Sequence, residues 1–432
     1  MRQLFLPLLL VPLLLLGLES APTWTARERR KGQVATLFLL ASLGIRAFHL
    51  IESNIRNPSE WDFMCFWLWG KLGAHRASFY DPESTIALAR QLAGQFSFSP
   101  HFTHGFIEVG FLYPPPTMLL LAPLGFFSAS TAAALWYLLQ VSCLVGASFL
   151  LWRLFASGTG RLGLLFILAF MLVLPASHRT LLFAQTNFLA LFLGLLLLRY
   201  ERKGLGGVFA ATSVFTKPYL AIWFGYLALK RRWKAFFAGL ATAAALCGVS
   251  AAVFGVPTFL AYFRENPTPR LPSALFSPPI NQSLWGKFQP IGLGESAGVS
   301  GRMMVFTVIA LTLVMATAYL VSRTREPESG LGLALVTTTG LIIFPSTQGH
   351  YSVLLAIPLF CLWSRRRQLR LPLSLLIAFI TLESILTGIA NGSYSFWANA
   401  AAWCALAVAA AQAGAEARSL QPATGVVGES AQ

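Results

Sequence analysis

Runs of about twenty apolar residues recur from one end of this chain to the other, and they fix its fold class before any motif is considered. A helix needs about 20 such residues to cross a hydrocarbon core roughly 30 Å thick. Inside that core every backbone N–H and C=O must find a partner, which leaves helices or closed barrels. Runs over roughly 33–52, 131–153, 161–177, 181–199, 233–254, 301–322, 371–390 and 395–413 meet the length rule. Shorter runs at 114–127, 204–216, 217–229, 330–346 and 350–363 fill the gaps. The expected fold is an all-α integral membrane protein, a polytopic helical bundle of about 11–13 segments. Only 11% of the 432 residues are charged, against about 25% in a soluble domain.

The net charge of +16 does not point to nucleic acid, because the basic residues fall in short clusters between apolar runs. These are Arg27–Lys31, Arg199–Lys203, Lys230–Lys234, Arg323–Arg325 and Arg365–Arg367. Such clusters mark cytoplasmic loops. Residues 53–112, the turn near 177–180, the loop 255–300 and the turns near 345–350 and 391–394 then face outward. One run breaks the alternation: 114–127 starts outside and must return outside, so it is expected to dip in and come back, interrupted by Pro123 and Gly125. The chain divides into a hydrophobic N-terminal segment with a basic stretch (1–30), a transmembrane body (31–413) and a disordered tail (414–432). Residues 1–18 resemble the apolar core of a signal peptide. A cleaved signal would put the 27–31 cluster outside, so an uncleaved segment is expected. The five cysteines are scattered and suggest neither disulfide nor zinc.

Only two aspartates occur, Asp62 and Asp81, both in the first outer loop. Asp62 follows Trp61, an interface residue, and opens an aromatic helix expected to lie in the interface. Its carboxylate suits either a helix N-cap or a general base taking a proton from a sugar hydroxyl. Asp81, between Tyr80 and Pro82, reads first as turn chemistry. Tyr113 precedes three prolines that stiffen the next segment, and its ring could pack on a sugar or lipid phosphate. Lys217-Pro218 interrupts an apolar stretch. A lysine there either snorkels or meets an anion. Gln185 and Asn187, with Arg179 just before them, open a helix on the outer side, where they could cap it or bind sugar hydroxyls. Asn281 and Gln282, in the large outer loop, admit the same two readings, and Asn281-Gln282-Ser283 is also a formal glycosylation sequon. His350 lies in a late outer turn and could hydrogen-bond a phosphate or carry a proton.

In order along the chain, the pieces are Asp62-Phe63 with the helix ending in Phe79-Tyr80-Asp81, then Phe111-Leu112-Tyr113-Pro114-Pro115 with Pro123-Leu124. Ala184-Gln185-Thr186-Asn187, Thr216-Lys217-Pro218, Asn281-Gln282-Ser283 and Pro345-Ser346 with His350-Tyr351 follow. This set resembles glycosyltransferase family 87, within the C-type superfamily of membrane glycosyltransferases that use polyprenyl-phosphate sugars. The resemblance implies the C-type fold with amphipathic helices in the first outer loop. It also implies a catalytic aspartate at Asp62 and a histidine at His350. The family pattern carries Ser-Trp and two adjacent histidines in the late motif; here Thr347-Gln348-Gly349-His350 keeps one. Tyr-Tyr after the aspartate is replaced by Phe66-Trp67.

The function expected is transfer of a hexose, mannose first, from a polyprenyl-phosphate donor to a glycan or glycolipid acceptor, with inversion. Asp62 would be the base, and Lys217, His350 and Arg179 would meet the leaving phosphate. The enzyme would sit in the inner (plasma) membrane among its lipids, with the site facing the periplasm or exterior. No cofactor or metal is expected, since no Asp-x-Asp occurs to clamp a nucleotide diphosphate through a metal. The alternatives are a lipid-linked sugar transporter or flippase, for which no inverted repeat is visible, and an oligosaccharide ligase.

Overall fold

A computed structural model describes residues 2–58, 62–96, 110–265, 280–288, 298–324, 330–369, 371–389 and 393–419. Trp61, much of the outer loop 255–300 and part of the turn near 391–394 lie outside these residues. The helices run α1 Arg2–Ser20, α2 Ala26–Arg56, α3 Phe63–Ala74, α4 Pro82–Leu92, α5 Met118–Leu121, α6 Ala129–Phe155, α7 Gly160–Val173, α8 Pro175–Leu182, α9 Asn187–Tyr200 and α10 Gly204–Thr216. They continue with α11 Ile222–Leu229, α12 Trp233–Phe254, α13 Val256–Glu265, α14 Leu284–Phe288, α15 Gly298–Arg323, α16 Leu331–Ile343, α17 Ala356–Arg365, α18 Leu373–Leu386 and α19 Ser395–Ser419. Short 3₁₀ stretches flank α5 and precede α11 and α17. No strand occurs among the described residues.

Among the described residues six helices are long and apolar enough to cross a membrane, or seven if α7 and α8, bent by 64° at Pro175, count as one span. This is a polytopic helical membrane protein. Its outer helices show their apolar side to lipid: Phe38, Ile45 and Phe48 of α2, Phe237 and Leu240 of α12, and Met304 and Leu311 of α15 are all exposed. Most other expected segments form shorter apolar helices, α9, α10, α16, α18 and the stretches 115–126 and 218–229, while 350–363 is split into the 3₁₀ stretch Gly349–Leu355 and α17. Each stops at a local break. Pro218 holds Lys217 out of the helical region (φ −147°, ψ 98°) and ends α10. Ala184 takes a left-handed turn (φ 52°) that separates α8 from α9. Phe344 adopts extended geometry before Pro345 and ends α16.

The stretch 115–126 is a broken helix of 3₁₀ and α turns, too short to cross, as a dip requires. It packs on α3 with backbone nearly touching backbone. A Cβ on Gly70 would lie 2.5 Å from the Leu121 carbonyl oxygen, and one on Gly125 would lie 2.4 Å from the Gly70 carbonyl oxygen. Of the two helices in the first outer loop, α4 has mixed polar and apolar faces. Helix α3 is apolar on every side, and Phe63 to Gly70 are all buried. Protein, not the membrane interface, covers α3, because its dense aromatic residues leave no polar face to turn to water.

At the N-terminus, Val11, Leu14, Leu15 and Leu18 of α1 are buried against α7 and α18. Glu19 pairs with Arg366 and Arg367. The basic stretch 27–31 forms the first turns of α2, which begins with a capping box between Thr25 and Glu28. Helix α19 continues to Ser419, into the segment expected to be disordered, because Ala413, Ala415 and Ala417 favour helix. Residues 420–432 lie outside the described set.

Candidate active site

The basic loops gather at one end of the bundle. Arg232 reaches Glu201 at 3.1 Å, Tyr226 also donates to Glu201, and Lys230 donates to Thr324. Burial raises the Glu201 carboxyl above its ordinary pKa, opposed by the Tyr226 hydrogen bond and by Arg232. Desolvation brings the Lys230 ammonium down to about 8. From this end α9 runs 14 residues to Asn187, and α10 runs 13 residues to Lys217. At 1.5 Å per residue both cover about 20 Å. Their far ends, and those of α8 and α16, meet inside the bundle, where the helix breaks bring polar side chains together.

Asp62 stands just before α3, but its carboxylate makes no capping bond. It accepts a hydrogen bond from Gln185 Nε2 instead. The other end of the same amide, Gln185 Oε1, accepts from Lys217 Nζ at 2.9 Å. A carboxylate only accepts and an ammonium only donates, so the two charges fix the orientation of the amide. Gln185 itself is held by the left-handed turn at Ala184, whose carbonyl accepts from Trp136 Nε1 at 2.7 Å. Lys217 is 2% exposed. Its ammonium lies 4.2 Å from the centre of the Tyr351 ring, a contact that strengthens when desolvated. Tyr351 stacks on Tyr219 at 5.5 Å with the planes 14° apart, and Tyr219 packs on Phe344. Asp62, Gln185, Lys217 and Tyr351 therefore form one continuous chain of contacts.

The His350 ring lies edge-on to Tyr351 at 4.8 Å and to Phe183 at 5.6 Å, with Lys217 and Arg179 as its charged neighbours. The His350 carbonyl accepts from Asn187 Nδ2 at 3.2 Å, and the same amide reaches Thr180 Oγ1 at 3.2 Å. Asn187 Oδ1 is buried, without a partner among the described residues. Tyr113 packs on Phe66 and Phe111 and has Tyr351 and Asp62 as electrostatic neighbours. Among the described residues no three His, Cys, Asp or Glu side chains come together as a metal site needs.

The sequence profile of glycosyltransferase family 87 matches residues 111–345, more than half of the chain. The chain belongs to glycosyltransferase family 87. No curated protein and no solved structure matches it. This member of family 87 is thus a membrane glycosyltransferase that takes a sugar donor and an acceptor. The matched region holds Tyr113, Arg179, Gln185, Asn187, Lys217, Asn281 and Gln282; Asp62, Asp81 and His350 lie beyond it.

Other expected site residues are engaged elsewhere. Asp81 caps α4, accepting from the Glu83 N–H at 3.2 Å and the Ser84 hydroxyl at 2.8 Å. Arg179 forks onto the carbonyls of Thr387 and Gly388 at 2.9 and 3.1 Å, tying α8 to the end of α18. Asn281 donates to the Pro345 carbonyl at 2.5 Å and accepts from Ser283. Gln282 bonds Thr347 and the N–H of Phe396. These two residues clamp the late turn from outside, and the sequon asparagine is buried. Tyr351 and Tyr219 are the site residues that sequence reasoning missed. Their signal, a tyrosine one residue after His350 and two after Lys217, gains meaning only once the two turns face each other.

Proposed function

We propose that this family 87 member moves a hexose, mannose, from a polyprenyl-phosphate sugar to an acceptor glycan or glycolipid at the outer membrane face, with inversion at the anomeric carbon. The bridge from Asp62 through Gln185 to Lys217 carries this reading. It holds one acid and one buried cation a single amide apart, in a bundle with few other ionisable groups. The acceptor oxygen forms its bond to the anomeric carbon as the bond to the phosphate oxygen breaks. The acceptor proton passes to the Asp62 carboxylate, and the leaving lipid phosphate takes its charge to Lys217. A cation already fixed where negative charge develops stabilises the transition state without reorganising. Tyr351 keeps the Lys217 ammonium in place, and the His350 imidazole beside it offers a donor to a phosphate oxygen. Tyr113 beside Asp62 offers its ring to the sugar, and the Asn187 oxygen suits a sugar hydroxyl.

Membranes bearing the protein are given radiolabelled polyprenyl-phosphate mannose and acceptor extract. Sugar should move in the wild type, and Asp62→Asn should lower turnover by about 10²–10⁴, the usual contribution of a general base, while folding and insertion persist. Normal turnover by that variant would remove Asp62 as the base. Uptake of the lipid-linked sugar without bond cleavage would favour a transporter.

A further inference from the structure

Helix α8 has two faces. One carries Arg179 and Thr180 toward α18 and the late turn. The other carries Ser177, His178 and Leu181 into a narrow crevice shared with α1, α2 and α7. Its lining includes the apolar Leu43, Leu172 and Leu181, and Arg46 of α2, itself an exposed residue, borders it from the opposite side. Arg46 stands fifteen residues past Lys31, about 22 Å along the helix, in the outer half of the apolar run. An arginine at that depth is costly unless something meets it. Glu52, the nearest acid on α2, already pairs with Arg56 at 2.5 Å and His49 at 3.5 Å. Among the described residues no carboxylate pairs with Arg46. Ser177 is 1% exposed, and among the described residues its hydroxyl has no partner. The half-buried His178 lies within the field of Arg46.

We propose that this crevice binds the phosphate head group of a membrane lipid, at a site separate from the Asp62 bridge. Snorkelling would explain Arg46 alone. It leaves the buried Ser177 hydroxyl and the inward His178 without a reason. A phosphate on a hydrocarbon chain satisfies all three: its oxygens accept from the guanidinium, the hydroxyl and an imidazole N–H of His178, and the Arg contact can be bidentate. The lipid chain continues along the apolar wall into the bilayer. The proposal does not rest on the identity of the sugar donor.

The test uses the full-length protein in lipid nanodiscs with a diazirine-tagged undecaprenyl phosphate, and maps the labelled peptides by mass spectrometry. Label is expected in peptides covering 43–50 and 172–181. Arg46→Gln should cut it roughly tenfold, the loss of one charged contact, and Arg46→Lys should restore much of it. Lys217→Ala should leave it in place. The proposal fails if Arg46→Gln labels like wild type, or if the neutral undecaprenol probe labels equally. It also fails if Lys217→Ala abolishes the label, since the lipid then occupies only the bridge site. Displacement by millimolar inorganic phosphate would mark a free-anion site and overturn the lipid assignment. An active Asp62→Asn enzyme would overturn the proposed mechanism and leave this result untouched.

Discussion

Gln185→Leu isolates the bridge from the two charges it joins. Leucine has similar bulk and neither donates nor accepts, so Asp62 loses its amide donor and Lys217 loses its acceptor together. A hydrogen bond to a charged group contributes about 1.5–3 kcal/mol. If the two hold the proposed base and cation in place for reaction, they amount to about 3–6 kcal/mol, or roughly 10²–10⁴ in kcat/KM. Lys217 keeps only the Tyr351 ring, so donor KM should rise while kcat falls. Gln185→Glu separates the two effects. A carboxylate there still accepts from Lys217 but cannot donate to an ionised Asp62, so donor KM should hold while kcat falls. The assay is initial-rate sugar transfer from the proposed polyprenyl-phosphate mannose in proteoliposomes with donor varied, on protein first shown to be folded by its thermal transition. A Gln185→Leu enzyme with wild-type kcat and donor KM would refute the bridge as a catalytic arrangement.

Gly70→Ala should push α3 off the broken helix, because its Cβ would meet the Leu121 carbonyl at 2.5 Å. Overpacking of this kind costs about 1–3 kcal/mol, so a lower Tm and slower transfer are expected together; an unchanged Tm would show the contact to be loose. Arg179→Gln removes two charged bonds to the end of α18. It should lower Tm with little change in donor KM, and the opposite pattern would return Arg179 to the phosphate site. Lys230 titrates near 8 in the folded protein against an ordinary value of 10.5, so between those pH values the unfolded chain holds the extra proton. Stability from this group is present above 10.5 and is lost as pH falls through about 8. Lys230→Met should flatten that part of the Tm–pH curve, and an unaltered slope would place the desolvation elsewhere.

The lipid-facing helices were legible because lipid imposes the same demand on every residue of a span. Helix α12 matches its apolar run at both ends, 233–254, and α6 and α15 differ from theirs by only a few residues. The site was legible as residues but not as bonds. Lys217 and Gln185 stood out as polar groups in apolar stretches, yet nothing along the chain says that one amide spans from Lys217 to Asp62. Asp62 and Asp81 illustrate the limit. Both precede a helix, and only packing decides that Asp81 caps α4 while Asp62 turns to α8–α9. Arg179, read as a phosphate ligand, meets carbonyls because α18 ends beside it, a neighbour 208 residues away.

The helix breaks and the site have one physical cause. Pro218, Ala184 and the turn after Phe344 each interrupt a segment inside a medium that offers backbone groups no water. The freed groups need partners: Thr117 donates to the Phe215 carbonyl, Trp136 to Ala184, and Asn187 to the His350 carbonyl. Polar side chains collected to satisfy broken backbone also make room for a charge, because a lysine at such a junction finds acceptors and a ring that lipid would not supply. Placing the breaks at the far ends of 13- and 14-residue helices sets the junction about 20 Å above the basic loops. With the basic loops on the cytoplasmic side, as proposed, that is within the outer part of a core roughly 30 Å thick, a depth that the phosphate of the proposed lipid-linked donor would reach by sinking only slightly into the protein.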